Sequence, residues 1–213
     1  QSGLSQKADQ EGFIVAYPDG LRYPWTTSNP QAWNAGGQYE QWTQGTDDVG
    51  FIDEMVELIR RHYAIDSARI FVTGHSNGSF MTYRVAYELA CKIAAIAPHS
   101  GQMVYQPASP ARCPVPVLHL HAIDDATVLY DGATSSDPNT LSYLPVETVL
   151  GGWAGLHGCS ASPVVAAANA DYTVLRWPCP SGRPAIELYR TNRGDHHWFR
   201  PDNSGRSATD TIS

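Results

Sequence analysis

The sequence predicts an α/β fold: a mainly parallel sheet with helices on both faces. Three observations predict it. Short apolar runs such as residues 93–97 (IAAIA) and 115–121 (VPVLHLH) are too continuous for strands with one wet face. Amphipathic helical stretches alternate with these runs. One run, residues 69–73 (RIFVT), passes through Gly74-His75-Ser76-Asn77-Gly78 straight into a further helical stretch. That is the strand–turn–helix setting in which a Gly-x-Ser-x-Gly serine is lifted clear of the backbone.

The elements follow in order. Residues 1–10 read as the back half of a helix with Leu4 and Ala8 on one face. Residues 12–18 (GFIVAYP) read as a buried strand ended by Pro18-Asp19-Gly20. Residues 21–46 are irregular and aromatic, with Tyr23, Trp25, Trp33, Tyr39 and Trp42 among Asn, Gln and Gly. A connector that long reads as functional surface or as packing over the core. Asp47-Asp48 open a helix to about Tyr63, with Phe51, Ile52, Met55, Val56 and Ile59 at helical spacing and one Asp as its cap. The helix after Ser76 runs to about Leu89. Strands follow over 93–97 and 115–121, a helix over 146–156, and strands over 172–177 and 186–190. Residues 107–114 read as loop, and Ser207-Ala208-Thr209-Asp210 as the capping-box start of a helix. The whole, residues 1–213, reads as one domain.

Composition narrows the function. A net charge of -7 without a basic run argues against a nucleic-acid partner. No apolar stretch approaches transmembrane length, and no signal-peptide pattern stands at the start. Cys91, Cys113, Cys159 and Cys179 form no CxxC pair. Their even number in a chain of low charge fits two disulfides and an exported, secreted or periplasmic protein, with three pairings open.

The chemistry lies in an order. A serine needs a base to take its proton, and the base needs a carboxylate to hold its tautomer. On a parallel sheet these partners come in the order Ser, acid, His, each after a strand. Asp124 and Asp125 follow the 115–121 strand, and His196 and His197 follow the 186–190 strand. Either member of each pair qualifies on position. His75, His119 and His121 read as packed or locally bonded histidines rather than a metal cluster, so neither metal nor cofactor is expected. Asn77-Gly78-Ser79 matches a glycosylation sequon, but inside the serine turn it reads as a chance match.

Residues 12–20 (GFIVAYPDG), 47–51 (DDVGF), 69–81 (RIFVTGHSNGSFM) and 93–101 (IAAIAPHSG) resemble secreted feruloyl esterases and polyhydroxybutyrate-depolymerase-like esterases, which are α/β-hydrolases. Residues 121–132 and 194–198 resemble their acid and histidine segments. The resemblance implies that His-Gly-x-x-Asp falls on residues 121–125 and selects Asp125. It implies that Gly-Gly-His-x-Trp-Pro falls on residues 194–199 and selects His196. Ala122, Asp195 and Phe199 depart from that pattern. It also implies the pairs Cys91–Cys113 and Cys159–Cys179. The resemblance implies that the chain starts after the family's first strands, which carry a His-Gly segment for a second oxyanion donor, and stops where the family's last helix begins, so the domain is expected to be incomplete at both ends.

The expected protein is therefore a secreted serine carboxylesterase for small-molecule or polymeric esters, foremost feruloyl esters of cell-wall polysaccharide. Ser76, His196 and Asp125 are its expected catalytic residues, and the Asn77 N–H its oxyanion donor. Trp33, Trp42, Tyr130 and Trp198 are candidates for the substrate cleft. A polyhydroxybutyrate depolymerase is the near alternative. A non-catalytic hydrolase-fold module that binds through its aromatic loop is the alternative from another class.

Overall fold

A computed structural model of the chain describes residues 2–23, 31–105, 112–180 and 186–199. Trp25, most of the 107–114 loop and the capping-box helix at 207–210 lie outside the described residues.

Helix α1 (Leu4–Glu11) buries Leu4 and Ala8 and ends on Gly12, whose φ of 73° suits a glycine C-cap. Two short strands, β1 (Leu21–Arg22) and β2 (Gln31–Ala32), pair antiparallel, and a single turn, α2 (Gln38–Trp42), follows. Helix α3 (Asp48–His62) is capped by Asp47, whose carboxylate accepts from the Gly50 N–H at 2.9 Å. Asp48 in its first turn and Arg60, Arg61 and His62 in its last match the helix dipole at both ends.

The main sheet has six strands in the order β3-β4-β5-β8-β7-β6. β3 (Phe71–His75), β4 (Ala95–His99), β5 (Val117–Ala122) and β8 (Ile186–Thr191) run parallel. β7 (Tyr172–Trp177) and β6 (Val164–Ala168) close that side antiparallel. Helices α4 (Asn77–Glu88) and α5 (Val146–Leu156) complete the chain's regular elements among the described residues.

One core holds the sheet to α3, α4 and α5. Ile52 from α3, Phe80, Tyr83 and Val85 from α4, and Leu150 and Trp153 from α5 pack there with Ile96, Val117, Ile186 and Leu188 of the strands. Each fully buried large side chain stabilises the fold by roughly 1.5–3 kcal/mol. On the opposite face Leu120, Val174 and Tyr189 form a smaller cluster with Trp198 and Phe199. Disulfides Cys91–Cys113 and Cys159–Cys179 are the pairs the resemblance implied. The first ties the chain after α4 to the approach to β5, and the second ties the end of α5 to the end of β7. Loops of this size place each bridge near 3 kcal/mol on chain-entropy grounds, as an order of magnitude.

One sequence expectation is corrected, and one strand lies where none is expected from the sequence. Residues 12–18 form no strand: Phe13, Ile14 and Tyr17 are exposed, and no described strand pairs with them. An apolar run becomes a strand only where a neighbour completes its hydrogen-bond ladder. The antiparallel strand β6 went unread, because all five of its residues are exposed and Val-Val-Ala-Ala-Ala carries no alternation.

Candidate active site

Ser76 stands between the last residue of β3 and the first of α4. Its backbone sits at φ 56°, a strained region for a residue with a Cβ. The Ser76 N–H donates to the His99 carbonyl at 3.0 Å, and its own carbonyl accepts from the N–H of Ser79 at 2.8 Å. These bonds hold the turn in place.

The two motif glycines differ. A Cβ on Gly74 would fall on the carbonyl of Gly78 and 2.9 Å from Thr82 Oγ1, whereas a Cβ on Gly78 meets nothing within 4 Å. Of these two, crowding demands glycine at position 74 alone. A glycine outside the motif is also required. A Cβ on Gly101 would lie 2.7 Å from the Ser76 carbonyl oxygen and 2.9 Å from Ser79 Cβ. Its segment figured in the family resemblance, but no propensity rule marks Gly101 as part of the serine turn.

Asp125 follows β5 and His196 follows β8, and the sheet order sets those strands side by side. The three groups meet at the C-terminal ends of parallel strands. Ser76 Oγ lies 2.8 Å from His196 Nε2, and His196 Nδ1 lies 2.9 Å from Asp125 Oδ2. A carboxylate can only accept, so Nδ1 carries the proton and Nε2 is free to accept the serine O–H. Asp125 Oδ1 accepts from the N–H groups of Thr127 at 2.9 Å and Val128 at 2.8 Å. Burial alone pushes the Asp125 carboxyl up. Its hydrogen bonds from His196, Val128 and Thr127 outweigh that and hold it at about 2.

The neighbours not chosen by the resemblance are elsewhere. Asp124 is exposed and accepts from the Asp195 N–H at 3.1 Å, and His197 is exposed. The departures from the family pattern are accommodated. Asp195 takes φ 49°, which Asp tolerates better than most residues, Ala122 is fully buried, and Phe199 sets its ring edge-on to His99 at 4.3 Å. His75 packs its ring on His196 at 4.7 Å. Burial, then the neighbouring His196 charge, lowers His75 to about 4.

The start of α4 leaves its first N–H groups, that of Asn77 included, without helical partners. The Asn77 side chain grips the aromatic loop: its Oδ1 accepts from the Trp33 N–H at 2.7 Å and its Nδ2 donates to the Trp33 carbonyl at 3.1 Å. This use of the amide, with Ser79 buried and bonded to the Gly101 carbonyl at 2.6 Å, leaves the sequon no role as an acceptor of sugar. Asp48, buried, accepts from the Asn34 N–H at 2.6 Å and so anchors the same loop.

The aromatic candidates divide. Trp33 is half-buried and stacks on Phe51 at 6.3 Å, and Trp42 is half-buried with its ring edge-on to Tyr39 at 5.2 Å. Trp198 packs against His99 at 5.1 Å, behind the histidine loop. Tyr130 is buried, and its hydroxyl donates to Glu147 at 2.6 Å.

The pattern of a known family, described as Phospholipase/Carboxylesterase, matches residues 23–145. A bifunctional acetylxylan esterase/xylanase of Neocallimastix patriciarum is 30% identical over 193 residues, which are 88% of this chain and 25% of that protein. Feruloyl esterase B of Piromyces equi is 28% identical over 76% of this chain and 30% of its own length. Acetylxylan esterase A of Talaromyces purpureogenus is 28% identical over all of this chain and 62% of its own. The chain thus spans a quarter to three fifths of these relatives. Among solved structures, an acetyl xylan esterase from Aspergillus awamori shares the fold with a TM-score of 0.64 at 19% identity, over 92% of this chain and 77% of that one.

Proposed function

The chain belongs to the phospholipase/carboxylesterase family, and from that premise we propose that it is a serine carboxylesterase acting on esters of plant cell-wall polysaccharide. One observation carries the reading: Ser76 Oγ, His196 and Asp125 stand in a continuous relay of 2.8 and 2.9 Å, with the serine on a strained turn.

The geometry implies the steps. Ser76 Oγ attacks the ester carbonyl carbon while His196 Nε2 takes its proton. Asp125 stays ionised and stabilises the imidazolium that forms. The oxyanion faces the Asn77 N–H at the start of α4. Collapse of the tetrahedral intermediate releases the alcohol, which takes the proton from His196, and leaves an acyl-Ser76. Water, activated by the same histidine, then releases the acid and restores the serine.

Relatives named as feruloyl and as acetylxylan esterases support the cell-wall substrate class. The half-buried rings of Trp33 and Trp42 favour a phenolic acyl group such as feruloyl, with Trp198 as support behind His196. Acetyl is the second reading, favoured by the two acetylxylan esterases among those relatives. Two disulfides and no free cysteine among the described residues suit an oxidising compartment, and so a secreted or periplasmic enzyme.

The test is Ser76→Ala assayed on p-nitrophenyl acetate, methyl ferulate and acetylated xylan. Loss of all turnover, with fluorophosphonate labelling of the unmutated serine, is expected. Undiminished hydrolysis by the variant, or a folded protein that never takes the label, ends the reading. The second outcome points to a binding module instead.

A further inference from the structure

We propose that Tyr83, His119 and His121 form a buried positioning wire that fixes Asp125 from the helix that carries the nucleophile. The inference rests on the carboxylesterase reading above. All three side chains are fully buried, and none belongs to the Ser76–His196–Asp125 relay. Tyr83 Oη lies 2.8 Å from His119 Nδ1. His119 Nε2 lies 3.1 Å from His121 Nδ1, and the two rings stack 5.4 Å apart. His121 Nε2 lies 2.8 Å from the Val128 carbonyl oxygen.

The last acceptor sets every proton in this chain. A carbonyl only accepts, so His121 Nε2 carries the hydrogen and, in a neutral ring, Nδ1 accepts. His119 must then donate from Nε2 and accept at Nδ1 from the Tyr83 hydroxyl. Each polar atom of the wire is satisfied in this one arrangement. Burial lowers both histidines, which keeps the rings neutral and the direction fixed.

Val128 links the wire to the acid. Its carbonyl receives His121, while its N–H donates to Asp125 Oδ1 at 2.8 Å. The same His121 N–H edge also faces Asp125 Oδ2 at 3.5 Å. The backbone N–H groups thereby hold Oδ1, and the carboxylate so fixed faces His196 Nδ1 with both oxygens, Oδ2 at 2.9 Å and Oδ1 at 3.1 Å. Tyr83 lies two turns along α4 from Ser76, so one rigid helix carries the nucleophile at its start and one end of the wire in its middle.

His121→Asn and His121→Gln separate positioning from bulk. The Gln amide reaches toward the place of Nε2, whereas the shorter Asn amide does not reach the Val128 carbonyl. His121→Asn is expected to lower kcat about a hundredfold with KM little changed, as a misplacement of about 1 Å would. His121→Gln should recover much of that loss. Tyr83→Phe, which removes only the far hydroxyl, is expected to lower kcat about tenfold. Rates are to be taken per fluorophosphonate-titrated site, so that unfolded protein does not count. A low-field proton signal from His196 Nδ1–H in wild type should shift or broaden in His121→Asn. Wild-type kcat per titrated site in His121→Asn overturns the inference. If that variant does not fold, wild-type kcat in Tyr83→Phe overturns it in the same way. Either result beside an inactive Ser76→Ala leaves the carboxylesterase reading standing. Full activity of Ser76→Ala removes both.

Discussion

Asp124 and Asp125 are adjacent in sequence and opposite in surroundings. Asp125 is 2% exposed and takes hydrogen bonds from His196, Thr127 and Val128. Asp124 faces solvent and caps the Asp195 N–H. On the proposed mechanism Asp125→Asn destroys the acceptor that fixes the His196 tautomer, and kcat should fall by about 10⁴. Asp124→Asn should stay within roughly twofold, as surface changes do. Steady-state rates of the two variants on one ester check the assignment, and equal losses would reverse it. Position in the chain left both pairs, Asp124 or Asp125 and His196 or His197, open, because adjacent loop residues differ only in the direction each side chain takes. Family resemblance chose between them. The geometry that realises the choice comes from the backbone of the 125–128 turn, and no periodicity rule reads such a turn.

At the scale of elements, the serine turn is the most legible part of the chain, yet its two glycines are not equivalent. The Gly-x-Ser-x-Gly spacing suggests that both glycines relieve crowding. Of the two, only Gly74 meets the backbone opposite, and Gly78 lies inside α4 with open space where a Cβ would stand. Gly74→Ala must therefore push β3 away from α4, with the 1–3 kcal/mol cost typical of overpacking or more. Gly78→Ala should leave stability level or raise it by up to about 1 kcal/mol, since alanine is the better helix former. Urea denaturation of the two variants distinguishes them, and equal destabilisation would contradict the asymmetry. The long periodic stretches, α3, α4, α5 and the parallel strands, were readable because a buried face writes its spacing into the sequence. The exposed strand β6 and the unpaired stretch at residues 12–18 were not, because pairing depends on a neighbour that local pattern does not name.

At the scale of the whole molecule, the buried histidines set a pH limit. His75 is held at about 4 by burial and then by the His196 charge, and His99 at about 2 chiefly by burial. His119 and His121 are lowered by burial as well. In the unfolded chain each takes a proton near pH 6.5. Between that pH and the lower folded value, the unfolded state binds more protons than the native one. Stability therefore rises with pH across this window and falls on acidification. The slope is about 1.4 kcal/mol per pH unit for each histidine still neutral. Asp125 adds to the loss only at lower pH. Its folded value of about 2 lies below the usual carboxylate value, so its stabilisation is complete above about pH 4 and disappears as pH falls through 2. Urea midpoints should thus drop between pH 7 and pH 5, before carboxylates begin to titrate. His99 tests the cause without touching the relay. It is fully buried between Trp198 and Phe199, and neither ring nitrogen has a hydrogen-bond partner among the described residues. His99→Leu keeps the backbone carbonyl that receives the Ser76 N–H and removes one titrating ring. The acid limb of its stability curve should flatten by about one histidine's share, near 1.4 kcal/mol per pH unit. A curve parallel to wild type across pH 5 to 7 would place the acid sensitivity elsewhere.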